Sequence, residues 1–179
     1  MAIAKKKKKF FDIEMPLIKK ETQLLAYELA ELEGRFIKYD LTRLLRGKST
    51  IIQFLVELKD DKLTTIPRKI QLMPYYLKRM VRKGTNYVED SFSAECKDAQ
   101  LRIKPFLVTR RKVTRAVRKA LREKAREELK DYIKDKDSEE VFDDILKNRL
   151  QRPLSLKLKK IYPLSLCEIK ILKVEKSKE

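Results

Sequence analysis

The sequence predicts an α+β fold: a small antiparallel β-barrel of about six strands, with a sandwich as the alternative, followed by two to three helices and a returning C-terminal strand. Three observations predict it. Apolar residues alternate in short runs up to about Thr109, with few glycines and tight polar turns between the runs. From Arg110 the apolar spacing changes to every fourth residue. From Leu164 to Val174 the chain becomes apolar and β-branched again. With 179 residues the chain can bury one sizeable core.

Taken in order, residues 1–11 read as a basic tail: Lys5, Lys6, Lys7, Lys8 and Lys9 precede Phe10 and Phe11, which would anchor its base. Such a tail would thread between RNA phosphates, although a localisation signal or a plain disordered tail would look the same. Residues 12–109 make up the barrel. Leu25, Tyr27 and Leu29, then Ile37, Tyr39 and Leu41, flank Glu33-Gly34 as a strand pair, although Leu25, Leu29 and Leu32 fit a helix equally well. Ile52, Phe54, Val56 and Leu58 alternate, turn at Lys59–Lys62, and return as Thr64, Ile66, Ile70 and Leu72. Pro74 opens a short basic helix over 74–83 that carries Leu77, Met80 and Val81 and closes at Gly84. Val88, Phe92, Ala94 and Cys96 make the next strand, and after Lys97-Asp98-Ala99 come Leu101 and Ile103, with Pro105 marking an edge or a bulge.

Residues 110–179 form the helical region, packed as one domain with the barrel. Val113, Val117, Leu121, Ala125, Leu129 and Ile133 recur every four residues, a stripe that precesses by roughly 40° per step. Such a helix must wrap its support or break, and Arg126, where the charge changes sign, is the expected break. Ser138 with Glu139 and Glu140 starts another helix bearing Val141, Phe142, Ile145 and Leu146, and Pro153 opens one more short turn.

The formal charge of +18 calls for a polyanionic partner, and its distribution is uneven. Residues 10–101 are almost balanced, with 16 basic and 14 acidic side chains. Residues 102–126 hold eleven basic side chains and one acid, whereas 127–146 hold three and nine. The arginines Arg111, Arg115, Arg118, Arg122 and Arg126 follow spacings of four and three, which confines them to one sector of a helix opposite Val113, Val117 and Ala120. Arg110, Lys112 and Lys119 add to this surface, and Arg110, Arg111 and Lys112 crowd a helix N-terminus that disfavours cations. Guanidinium binds phosphate oxygens bidentately and stacks on exposed bases. Lys78, Arg79, Arg82 and Lys83 make a second, weaker patch.

No catalytic or metal-binding set is expected, and no cofactor. The chain has no histidine, and neither Cys96 nor Cys167 lies in a CxxC. Arg46-Gly47-Lys48-Ser49 ends like a P-loop, but Thr42 stands where the first glycine is required. Asp60-Asp61 and Asp143-Asp144 read as solvated acids. The cysteine usage and the lack of an apolar segment long enough for a signal or a bilayer span suggest a cytoplasmic setting without membrane contact.

Several stretches resemble a known family. Phe10-Phe11-Asp12, Leu32-Glu33-Gly34-Arg35, Lys78-Arg79-Met80-Val81-Arg82, Thr109-Arg110-Arg111-Lys112 and Lys160-Ile161-Tyr162-Pro163-Leu164 occur in the order and spacing of the S-three-Ae small-subunit ribosomal proteins of archaea and eukaryotes, and resemble the archaeal type. Lys38 departs from the acid expected in the family's strand motif. The resemblance implies a β-barrel with appended helices on the platform of the small subunit, near the ribosomal RNA 3′ end and the messenger exit. The implied partners are ribosomal RNA, neighbouring platform proteins and messenger RNA at the exit, with the protein ribosome-bound and not a homo-oligomer. The alternative is a free RNA chaperone whose barrel stacks bases on Tyr27, Tyr39, Phe54 and Phe92, although their apolar neighbours suit a core better.

Overall fold

The computed structural model describes residues 7–59 and 62–177. Strands β1 (Lys9–Met15) and β2 (Lys20–Ala26) pair antiparallel across a 3-10 turn at Pro16–Ile18. Lys9, Phe10 and Phe11, expected as the base of a tail, are therefore the start of a strand, opposite Ala26, Leu25 and Leu24. Ile13 and Met15 turn inward and are fully buried.

After a second 3-10 turn at Leu29–Leu32 comes β3 (Phe36–Asp40), which pairs with β4 (Thr50–Lys59) rather than with β2. The hairpin expected across Glu33-Gly34 does not form. Gly34 instead takes φ +74°, and its N–H donates to the Val56 carbonyl at 3.0 Å, clasping this turn onto β4. β4 and β5 (Lys62–Leu72) form the expected long hairpin, with Ile52, Phe54 and Val56 buried. The expected face of β5 is half right. Phe54 pairs with Pro67 and Gln53 with Lys69, which leaves Arg68 as an extra residue. This bulge flips the alternation, so Leu63, Thr65 and Pro67 are buried before it and Ile70 and Leu72 after it.

Helix α1 (Pro74–Met80) begins at Pro74 as expected but ends at Met80 rather than Lys83. The strand expected from Val88 to Cys96 is broken at Asp90-Ser91 into β6 (Tyr87–Glu89) and β7 (Phe92–Glu95), both paired with β8 (Ala99–Thr109). Pro105 lies at the gap between them, where the β8 ladder slips, so the bulge reading holds. Three helices follow: α2 (Arg115–Lys134), α3 (Ser138–Leu146) and α4 (Gln151–Leu158). The last strand, β9 (Leu164–Ser177), is the returning one.

The nine described strands form a single mixed sheet in the order β2-β1-β5-β9-β8-β6, with β4 beside β5, β3 beside β4 and β7 beside β8. Every pairing is antiparallel except β1 with β5, which meet in parallel at Glu14 and Thr64. The fold is α+β, but the sheet is open and not a closed barrel. The end strands β2 and β6 make no ladder with each other, and α2, α3 and α4 pack against β5, β6, β7 and β9 instead. The long strand β9 joins the two halves by pairing with β5 at Lys69, Ile70 and Gln71 and with β8 along its whole length.

One core runs through strands and helices, with Phe54, Ile103, Leu107 and Leu172 beside Leu121, Leu129, Phe142 and Leu158. A smaller one under α1 contains Leu72, Leu77, Phe106 and Val108. No helix among the described residues is long and apolar enough to cross a membrane.

Candidate nucleic-acid interface

The cation surface grows from two buried or half-buried polar residues. Thr109 ends β8 fully buried, and its hydroxyl accepts from the Asn86 N–H at 3.0 Å and lies 2.7 Å from the Arg111 carbonyl. The Asn86 side-chain oxygen accepts from the Val113 N–H at 2.8 Å, and the Arg110 N–H donates to the Pro163 carbonyl at 3.4 Å. Both ends of the Arg110–Val113 link are thereby tied down by backbone and buried polar groups. Arg110, Arg111 and Lys112 are left exposed.

This anchoring also moves the helix start. The helix expected from Arg110 begins at Arg115, because Thr114 takes the cap position with its hydroxyl accepting from the Val117 N–H at 3.5 Å. Arg110, Arg111 and Lys112 are thus not at the helix N-terminus. The first turn nonetheless contains Arg115 and no acidic residue.

α2 does not break at Arg126; it runs unbroken to Lys134. Its buried stripe is Leu121, Ala125, Leu129 and Ile133, which drifts from β6 and β7 towards α4, so the support changes along the helix instead of the helix bending. The same drift carries the buried stripe alongside the arginine sector rather than opposite it. Arg118 is half-buried, and its Nε has no hydrogen-bond partner. Arg126 is committed within the protein: it forms a two-pronged pair with Asp90, both hydrogen bonds at 2.9 Å, and lies over the Phe92 ring at 5.7 Å. Lys119 is exposed and 3.7 Å from Glu123. Arg115 and Arg122 are exposed, and among the described residues neither they nor Arg110, Arg111 and Lys112 make an ion pair.

The second patch joins the first. Lys78, Arg79, Arg82 and Lys83 are all exposed; Arg79 lies over the rings of Tyr75 and Tyr76, and Arg82 and Lys83 lead directly into Asn86. Two basic segments about 30 residues apart in sequence therefore meet at one asparagine. Sequence reasoning missed a third contribution, Lys159 and Lys160, which are exposed between α4 and Pro163, the residue whose carbonyl receives Arg110. The signal was the renewed basic excess after residue 147.

Lys7, Lys8 and Lys9 are not part of this cluster. Lys5 and Lys6 lie outside the described residues. Lys7, Lys8 and Lys9 are exposed beside β1, near the opposite end of the strand order from β6, with Lys8 over the Tyr27 ring at 5.4 Å.

Other candidates resolve into structure. Phe54 and Phe92 are core residues, and Tyr39 is half-buried with its hydroxyl accepting from Lys20. Lys48 pairs with Glu168 at 2.6 Å, behind a left-handed Arg46-Gly47 turn. Asp143 pairs with Lys147, while Asp144 is bound by Lys136 and Tyr132. Burial opposes the charged form of Asp144, yet these two hydrogen bonds hold its carboxyl below the ordinary value. Burial, reinforced by nearby Glu168, pushes the Cys167 thiol up to about 12, so it stays protonated. The described residues contain no cluster of His, Cys, Asp or Glu suited to a metal.

Fold and surface together define a class: a basic α+β protein with an open sheet, helices packed against it, and exposed cations around Asn86, several of which make no ion pair among the described residues. A comparison with curated proteins gives no match. The chain belongs to the Ribosomal S3Ae family, whose model matches residues 4–178, and it is accordingly a ribosomal protein of the small subunit.

Proposed function

We propose that the protein is a non-catalytic structural constituent of the small subunit that binds ribosomal RNA through the surface around Asn86. Arg110, Arg111, Lys112, Arg115 and Arg122 hold the phosphates, with Arg82, Lys83, Lys159 and Lys160 extending the contact. The observation that carries this reading is a set of five exposed cations that make no ion pair among the described residues, three of them presented by the anchored Arg110–Val113 link. Arg126 serves the fold instead, and Lys5–Lys9 and Lys119 make outlying contacts. On this reading the site faces the platform, near the RNA 3′ end and the messenger exit, with platform proteins as neighbours in the cytoplasmic ribosome; the family membership supports it.

The test is incorporation. The combined variant Arg111→Glu, Arg115→Glu, Arg122→Glu is expected to stay folded and to remain at the top of a sedimentation gradient while the unaltered protein runs with the small subunit. Normal incorporation of the variant would refute the assignment. A crosslinking map on intact subunits would then say which RNA segment lies against Arg111.

A further inference from the structure

A groove of about 480 Å³ lies between α1 and the ladder of β6 with β8. Its floor is an aromatic step. The Tyr87 ring stacks on Phe106 with centroids 5.9 Å apart and planes inclined by 20°, and Tyr87 stays 54% exposed while Phe106 is buried. Leu77 and Val81 form the facing wall; Lys78 stands at the rim, and Lys170 is held at 3.0 Å by Glu89. A half-open ring on a preformed stack leaves apolar surface in water that a partner can cover.

The surroundings indicate which partner. Tyr87 immediately follows Asn86, the residue that holds the Arg110–Val113 link; Lys78 lines the groove, and Arg82 and Lys83, which follow Val81 of its wall in sequence, are exposed, all three without an ion pair among the described residues. An apolar slot with an aromatic floor suits a flat, uncharged ring, and cations at its mouth suit a phosphate attached to that ring. A purely apolar protein side chain would leave those cations uncompensated.

We infer that this groove takes one unpaired base of the bound RNA, stacked on Tyr87, with the adjoining phosphate held by Lys78 and Arg82. The inference rests on the RNA-binding reading of the Asn86 surface and adds to it a site that reads strand structure rather than backbone charge alone.

The full chain is titrated with two RNA hairpins of equal length, one carrying a single bulged 2-aminopurine and the other fully paired. The bulged hairpin is expected to bind more tightly, with its fluorescence quenched on binding. Tyr87→Leu, which keeps Phe106 covered but removes the ring, should lower affinity for the bulged hairpin by roughly 5- to 100-fold and abolish quenching, leaving the paired hairpin unaffected. Tyr87→Phe should retain both. Lys78→Gln, on an exposed helix face, should weaken the bulged hairpin selectively and serves as the second variant if Tyr87→Leu does not fold.

Equal losses on both hairpins, unchanged quenching, or subunit crosslinks from Tyr87 to protein only would each overturn the inference. Failure of the RNA reading itself is distinguishable: Arg115→Gln would then leave the salt dependence of the paired hairpin unchanged.

Discussion

At the residue scale the arginines of α2 divide by what they touch. Arg126 spends its guanidinium on Asp90 and Phe92, whereas Arg115 meets no acid among the described residues. Arg126→Gln is therefore expected to lower stability by about 1 kcal/mol in urea titration and to leave the salt slope of RNA binding unchanged. Arg115→Gln should do the reverse, leaving stability alone and reducing the slope by up to about one unit. Asn86→Ala removes no charge but releases the Val113 N–H, so it should cost about 1–2 kcal/mol and weaken RNA binding by loosening the presented backbone. The sequence made the identity of these cations legible, but not which of them the fold consumes. Asp90 lies 36 residues before Arg126, and nothing local to either residue announces the pair.

At the element scale, α2 and the β4–β5 hairpin are the parts whose periodicity speaks for itself. Leu129→Ala, at the point where the buried stripe of α2 meets α4, is expected to cost about 2–5 kcal/mol, and Thr114→Ala about 1 kcal/mol, both read from thermal unfolding. What misled the reading was geometry that adds or removes one residue of register. The Arg68 bulge reverses the face of β5 midway, and the Asp90-Ser91 break turns one strand into two, both while the apolar letters continue as before. Capping misleads in the same way. Ser138 opens α3, but the cap comes from across the fold, since the Asp98 carboxylate accepts from the Ser138 N–H at 2.8 Å. Strand partners are also invisible locally: the residues of β3 pattern equally well for β2 or β4, and the Gly34 clasp on Val56 decides for β4.

At the scale of the whole molecule, basic and acidic segments are kept apart along the chain, and acids of the acidic segment are tied by lysines. Partial desolvation works against the charged form of Asp98, but its bonds from Ser138 and Cys96 hold its carboxyl low, as Lys136 and Tyr132 do for Asp144; for Glu128 it is the bond from Lys157 that does so. Groups with lowered values stabilise the fold fully above the ordinary carboxylate value, near 3.8 for Asp, and lose that contribution as the pH falls through the lowered values. The urea midpoint should therefore stay flat from pH 7 to about 5 and drop steeply below about 4. Asp144→Asn should blunt that drop while lowering the midpoint at pH 7. Charge segregation was legible from simple counting along the chain. The open sheet was not, because whether edges meet depends on β5 serving β1 at one end and β9 at the other.

That arrangement of β9 has a temporal side. The strand standing between β5 and β8 at the middle of the sheet is the last of the nine to leave the ribosome that makes it, its pairing residues Ile171, Leu172 and Lys173 coming long after their partners Gln71, Ile70 and Lys69. Until Leu164 onward has emerged, β1–β5 and β6–β8 exist as two unjoined halves with hydrogen-bonding edges exposed. The nascent chain thus waits on its final strand, and a protein destined for RNA spends its synthesis with its seam unsewn.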